Sequence, residues 1–144
     1  MNIQGKKEDL DLYNEEGILI YEYKQVSDGF WTKCTYNDNG QKTSWEDSDG
    51  DWEKYIYNDK GYLTSYENSN GYWEKNTYND NGDKISYENS NGDWSKYTYN
   101  DNGQKTFYEN SNGYFAKYTY NDKGDRIKRE GIPELIGKDK NLIK

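Results

Sequence analysis

No histidine occurs in the 144 residues, and there is a single cysteine, Cys34, a single proline, Pro133, and a single methionine, Met1. The lack of histidine excludes a Ser-His-Asp or Cys-His arrangement built from this chain alone. It also removes the commonest zinc ligand, and no second cysteine replaces it. One cysteine cannot form an internal disulfide. Aliphatic residues are scarce too: Ile, Leu, Val and Phe together number only 19. No run is apolar enough to span a bilayer. The stretch Met1–Asp11 is polar and charged, and no secretory leader is expected from it. These features give the expectation of a cytoplasmic chain without cofactor or metal.

Aromatic residues fill the gap. There are 17 Tyr and 5 Trp, and aromatic rings bury about 150–250 Å² each. They are placed in register. Tyr-Asn returns every 21 residues, at Tyr36, Tyr57, Tyr78, Tyr99 and Tyr120, with Gly four places after each Tyr. Ser48, Ser69, Ser90 and Ser111 keep the same step, each followed by Asp or Asn and then Gly. A fixed period of this length means one supersecondary unit copied along the chain.

Within a unit, two runs of about seven residues flank Ser-Asn-Gly, a hairpin signature. A two-residue Asn91-Gly92 loop of type I′ is expected, because Asn and Gly tolerate positive φ. It would pair Ser90 with Asp93, Asn89 with Trp94 and Tyr87 with Lys96. The other connection, Asp101-Asn102-Gly103, reads as a three-residue loop with a bulge glycine, pairing Tyr99 with Lys105 and Thr98 with Thr106. The expected fold is all-β: an antiparallel β-hairpin meander of 11–12 strands in a single-layer, twisted or coiled sheet. It is one repeat domain over 1–144, with an N-terminal segment (1–12), hairpin repeats (13–130) and a capping tail (131–144).

This register would gather Trp31, Trp52, Trp73 and Trp94 in a row beside Asp47, Asn68, Asn89 and Asn110. On the same face, Lys33, Lys54, Lys75 and Lys96 would alternate with Trp45, Tyr66, Tyr87 and Tyr108, inviting cation–π contacts of about 0.5–1 kcal/mol. The opposite face would pair Tyr36, Tyr57, Tyr78, Tyr99 and Tyr120 with Lys42, Leu63, Lys84, Lys105 and Arg126. Phe107, Ala116 and Tyr118 would form a patch covered by the tail, with a helical turn from Pro133 to Ile136. Open strand edges are expected at residues 18–25 and 126–130, where chains could pair with one another.

The units Tyr97-Thr98-Tyr99-Asn100-Asp101-Asn102-Gly103 and Tyr118-Thr119-Tyr120-Asn121-Asp122-Lys123-Gly124 resemble the YD repeats of Rhs and teneurin-type proteins, over residues 13 to 130. The motif's Asp is Asn in every copy here, and its first Tyr is Cys34 or Asn76 in two. In long members the resemblance implies strands spiralling into a shell around cargo; five or six hairpins are too few to enclose anything. A weaker similarity links the chain to MORN-like and YwqK-type antitoxin repeats, which are also hairpin ladders.

Other motifs resolve as structural. The recurring Glu46, Glu67, Glu88 and Glu109 lack the distinct environments of a catalytic carboxylate pair and read as partners for Lys. The Glu46–Asp51 acidic run lacks the sixth-position Gly and closing Glu of a calcium loop and aligns with the other turns. What remains is a non-enzymatic module that binds another protein through an aromatic surface, as an inhibitor or antitoxin-like factor. The candidate residues are Trp31, Trp52, Trp73, Trp94, Tyr66, Tyr87, Lys54, Lys75 and Lys96. Two alternatives stand beside it: glycan or nucleotide binding by stacking, and mimicry of DNA by the acidic N-terminal half. The acidic balance, −8 overall, argues against general nucleic-acid binding, and no membrane partner is expected.

Overall fold

The computed structural model describes residues 8–132. They form twelve strands and, among the described residues, no helix: β1 (Leu10–Tyr13), β2 (Leu19–Ser27), β3 (Phe30–Tyr36), β4 (Lys42–Asp47), β5 (Trp52–Tyr57), β6 (Leu63–Asn68), β7 (Trp73–Tyr78), β8 (Lys84–Asn89), β9 (Trp94–Tyr99), β10 (Lys105–Asn110), β11 (Phe115–Tyr120) and β12 (Arg126–Ile132). Sheet order follows chain order, an antiparallel all-β meander. The chain divides into two compact units, residues 1–73 and 74–144. β1 lies outside β2. Among the described residues the terminal strand at that end is therefore Leu10–Tyr13, not the 18–25 segment expected from the sequence, and residues 10–12 of the N-terminal segment are strand. At the other end β12 is the terminal strand among the described residues and takes in Gly131 and Ile132. The expected helical turn from Pro133 to Ile136 lies outside the described residues.

Both turn types are the same three-residue loop. Around Ser90-Asn91-Gly92, the Asn89 N–H donates to Asp93 O at 3.0 Å and the Gly92 N–H donates to Asn89 O at 3.1 Å. Around Asp101-Asn102-Gly103, the Asn100 N–H donates to Gln104 O and the Gly103 N–H to Asn100 O, both at 2.9 Å. Each turn is nucleated by the Asn before it, whose Oδ1 accepts two backbone N–H groups. Asn89 takes those of Asn91 and Asp93; Asn100 takes those of Asn102 and Gln104. Such an Asx turn leaves only the final glycine at positive φ. Gly92 has φ +84°, and no non-glycine residue among those described has positive φ. This overturns the two-residue type I′ loop, which needs positive φ at Asn91 as well. The observed pairs are Tyr87 with Ser95 and Glu88 with Trp94, one residue away from the expected register.

The second hairpin starts as expected, with Lys105 opposite Tyr99, and then bulges. Thr106 is the extra residue, so Phe107, not Thr106, faces Thr98. Thr43, Thr64, Ile85 and Ile127 occupy the same slot in the other units, judged from the register shifts there. The bulge has a purpose in the repeat. Side chains alternate with a period of two, so an odd period of 21 would flip each copy to the other face. One bulge per unit restores parity, and equivalent residues stay on one side. Hydroxyl pairs line it: Thr98 and Thr106 Oγ1 lie 2.7 Å apart, as do Thr35 and Thr43.

Each unit has little interior. Among the described residues, the buried apolar ones are Tyr23 and Cys34 in the first unit and Ala116 in the second, and no large side chain is fully buried. Cross-strand pairs, worth about 0.2–1 kcal/mol each, carry most of the stability. Successive turns are also stitched together. Gln41 Nε2 donates to Gly61 O at 2.8 Å, and Gln104 Nε2 donates to Gly124 O at 2.7 Å. The Ser69 and Ser111 N–H groups donate to Trp52 O and Trp94 O, both at 2.9 Å.

Candidate functional site

The corrected register sorts the candidate residues onto two faces. Trp52 lies opposite Glu46 and Lys54 opposite Ser44 and Glu67; Trp94 lies opposite Glu88 and Lys96 opposite Ser86 and Glu109. Trp31 and Lys33 are on this face as well, with Lys33 paired to Glu46 and Tyr23. Tyr66 pairs with Tyr55, and Tyr87 with Ser95 and Asn76. Tyr66 and Tyr87 are thus on the opposite face from the Trp–Lys row, which corrects their expected grouping. Asn68 and Asn89, expected to flank the Trp row, also lie on the tyrosine side. Trp73 and Lys75 keep the Trp–Lys alternation in β7 (Trp73–Tyr78), with Lys75 opposite Glu88. Phe107 parts from Ala116 and Tyr118 for the same reason: it faces Lys117 and stacks on Phe115 at 6.4 Å.

The tryptophan face is built from strand-local pairs. In one strand, residues two apart point the same way, so each Lys folds back over its own Trp. The Nζ-to-centroid distances are 4.5 Å for Lys33 over Trp31, 4.9 Å for Lys54 over Trp52 and 5.5 Å for Lys96 over Trp94. Carboxylates complete the pattern: Lys33 Nζ is 3.2 Å from Glu46 and Lys54 Nζ is 3.7 Å from Glu67. Glu46 and Glu67 are therefore lysine partners, as expected, and Glu88 and Glu109 lie opposite Lys75 and Lys96. Cation–π contact was expected with the cross-strand aromatics Trp45, Tyr66, Tyr87 and Tyr108; it is made instead with the Trp of the same strand, and Ser and Glu stand opposite Lys54 and Lys96.

One feature repeats in both units. An open depression of 320 Å³ is lined by Ser44, Glu46, Trp52 and Lys54 together with Trp45 and Glu53. The equivalent residues Ser86, Glu88, Trp94 and Lys96 line another, of 470 Å³, on the β8–β9 hairpin. Trp94 is 38% exposed, and Ile56, on the same face of β5, is 60% exposed. Reading the sequence alone missed Ser44 and Ser86 as members of this notch, because only the register brings them beside Lys.

The tyrosine face spends its polar groups internally. Tyr55 Oη donates to Glu53 at 2.5 Å and Tyr66 Oη donates to the same carboxylate at 3.2 Å, with the two rings 5.1 Å apart. Burial, then the hydrogen bond to Glu53, drives the Tyr55 hydroxyl's pKa far above its ordinary value. In the second unit Tyr97 and Tyr108 also sit 5.1 Å apart, with Lys105 Nζ 4.7 Å from the Tyr97 ring. The Tyr57, Tyr99 and Tyr120 hydroxyls donate to the backbone carbonyls of Lys42, Lys84 and Lys105 at 2.7, 2.8 and 2.6 Å. Burial raises the pKa of Tyr57 and Tyr99 and pushes Tyr36, beside Cys34, up to about 12. Asn76 interrupts the tyrosine series. It is 5% exposed, and its Oδ1 has no hydrogen-bond partner. Among the described residues no group of acidic, Cys or His side chains could hold a metal ion; the Glu46–Asp51 run is a turn whose Asp47 Oδ1 accepts from the Asp49 and Asp51 N–H groups.

No protein-family model matches the chain, and no curated protein matches it. Solved structures do. The chain is similar to the TcdB2–TccC3–Cdc42 crystal structure (TM-score 0.55, 14% identity), covering 83% of this chain and 7% of that one. It is also similar to TcdB2–TccC3 without its hypervariable C-terminal region (TM-score 0.56, 14% identity, the same coverage). A third similarity is to the Tc holotoxin pore of Photorhabdus luminescens (TM-score 0.51, 16% identity), covering 85% of this chain and 9% of that one. The chain spans less than a tenth of the length of these structures. At such identity the likeness is one of fold, and it establishes the chain as a β-hairpin repeat meander.

Proposed function

We propose that the chain is a short YD-repeat-type array that binds another protein through its tryptophan face, acting as an inhibitor or antitoxin-like factor without catalysis of its own. The observation that carries this reading is the division of labour between the faces. Tyrosine hydroxyls are committed to the backbone carbonyls of Lys42, Lys84 and Lys105 and to Glu53, whereas the Ser–Glu–Trp–Lys notch repeats in both units with its charged ends in solvent. Trp anchors flanked by charge suit protein interfaces, where aromatic residues dominate binding energy. Stacking of glycan rings or bases is less favoured, because a lysine ammonium already sits over the Trp31, Trp52 and Trp94 rings.

The test starts with affinity capture from the native host. The captured protein is then titrated against Trp52→Ala combined with Trp94→Ala, one anchor from each unit. Binding is expected to weaken at least about a hundredfold, as for paired hot spots, with the far-ultraviolet spectrum unchanged. Wild-type affinity in the double variant excludes this face. Tryptophan fluorescence titrated with oligosaccharides and nucleotides checks the stacking alternative, which predicts a saturable response.

A further inference from the structure

The two terminal strands carry opposite charge on the same face. In β1, Asp11 pairs with Glu22, which pairs with Cys34; this is the tyrosine face. Asp9, two residues before Asp11 and exposed, accepts the Gln25 N–H through Oδ1 at 2.9 Å. In β12, Arg129 pairs with Tyr118, and its guanidinium lies 5.6 Å from the Tyr118 ring centroid. Arg126 sits over the same ring at 5.7 Å. On the tryptophan side β1 presents Leu10 and Leu12, 47% and 46% exposed, while β12 presents Lys128 and Glu130. Each terminal strand has a ladder neighbour on one side only among the described residues.

We propose that β12 of one copy adds to β1 of a second copy, extending the sheet from molecule to molecule. The repeat supplies the register. Tyr13 heads a Gly-closed turn as Tyr120 does, so β1 corresponds to β11. Lys128 and Arg129 stand 21 residues after Phe107 and Tyr108, so β12 corresponds to β10. The β10–β11 pairs Phe107 with Lys117 and Tyr108 with Ala116 therefore become Lys128 with Leu10 and Arg129 with Asp9 across the contact. That register sets Arg129 against Asp9, with Asp11 diagonal to it, on one face. On the other, the lysine stem of Lys128 covers Leu10, as long cationic side chains cover apolar surface.

Charge also selects the pairing. Two β1 strands repel each other through Asp9 and Asp11, and two β12 strands through Arg126 and Arg129, the Lys128 charge being paired with Glu130. Edge charges of this kind ordinarily block sheet-to-sheet pairing; here they block like with like and admit only the head-to-tail combination. Such a contact uses a different patch on each copy, so assembly continues past the dimer.

The experiment is sedimentation of the full chain against concentration and salt. The average mass should rise with concentration and fall back as salt screens the contact. Asp9→Lys with Asp11→Lys, and separately Lys128→Glu with Arg129→Glu, should each weaken assembly about tenfold or more while keeping the native circular dichroism. An equimolar mixture of the two variants should recover assembly, because each reversed edge then meets its complement. A wild-type chain that stays monomeric overturns the proposal, and so does a mixture that fails to recover.

Discussion

The two faces of this sheet are made of the same kinds of residue and do opposite things with them. On the tyrosine face, hydroxyls reach backbone carbonyls at strand starts, as Tyr99 reaches Lys84 O at 2.8 Å, and rings pair at 5.1 Å. On the tryptophan face, the repeated Trp–Lys–Glu contacts are ammonium over ring or exposed ion pair, within a strand or to one neighbour, with ring stacks at Tyr23–Trp31 and Phe107–Phe115. In a sheet with almost no interior, one face replaces the core and the other is left for solvent or a partner. The difference lies in where polar atoms are satisfied. Half-buried hydroxyls must be paired inside the protein, whereas the Lys and Glu heads keep their water.

The largest effect is expected from Tyr55→Ala with Tyr66→Ala, which removes a ring pair and both hydroxyl donors to Glu53. Chemical denaturation should show a loss of about 3 kcal/mol, from lost apolar burial and lost hydrogen bonds. Next is Asn76→Tyr, which restores the ring that the repeat carries at Tyr55 and Tyr97 and removes an unpaired buried oxygen. A gain of about 1–2 kcal/mol is expected, with a matching rise in midpoint. Tyr99→Phe deletes only the bond to Lys84 O and should cost about 1 kcal/mol.

Alkaline titration probes the same face. The folded-state pKa of Tyr36, Tyr57 and Tyr99 is raised above the unfolded value. The neutral phenol is therefore the form that folding favours. This contribution is fully present below the ordinary tyrosine pKa of about 10 and is lost as pH rises through the raised values. Unfolding above about pH 10 should accompany late tyrosinate absorbance, and Tyr99→Phe should soften it. The smallest effect belongs to the tryptophan face. Lys54→Ala should cost under about 0.5 kcal/mol beyond its stem packing, because its bridge to Glu67 is exposed. A cost as large as that of the tyrosine pair would erase the distinction between the faces.

Much of this was legible in the residues. Gly at fixed offsets placed the turns, because only Gly accepts the left-handed conformation without strain, and Tyr-Asn heads counted the hairpins. The recurrence of Glu beside Lys announced the ion pairs at Lys33 and Lys54. The grouping of Tyr66 and Tyr87 with the Trp row was not legible. Ser-Asn-Gly is compatible with a two-residue and a three-residue loop, and the choice turns on whether Asn89 Oδ1 caps Asn91 and Asp93. Nor does Thr106, an ordinary strand residue, advertise a bulge.

Strand number, turn positions and the 21-residue copy were determined by local chemistry, which each unit carries by itself. Membership of a face was decided only in the folded sheet. It depends on the parity of pairing between neighbours, and a single bulged residue moves every side chain beyond it to the other side.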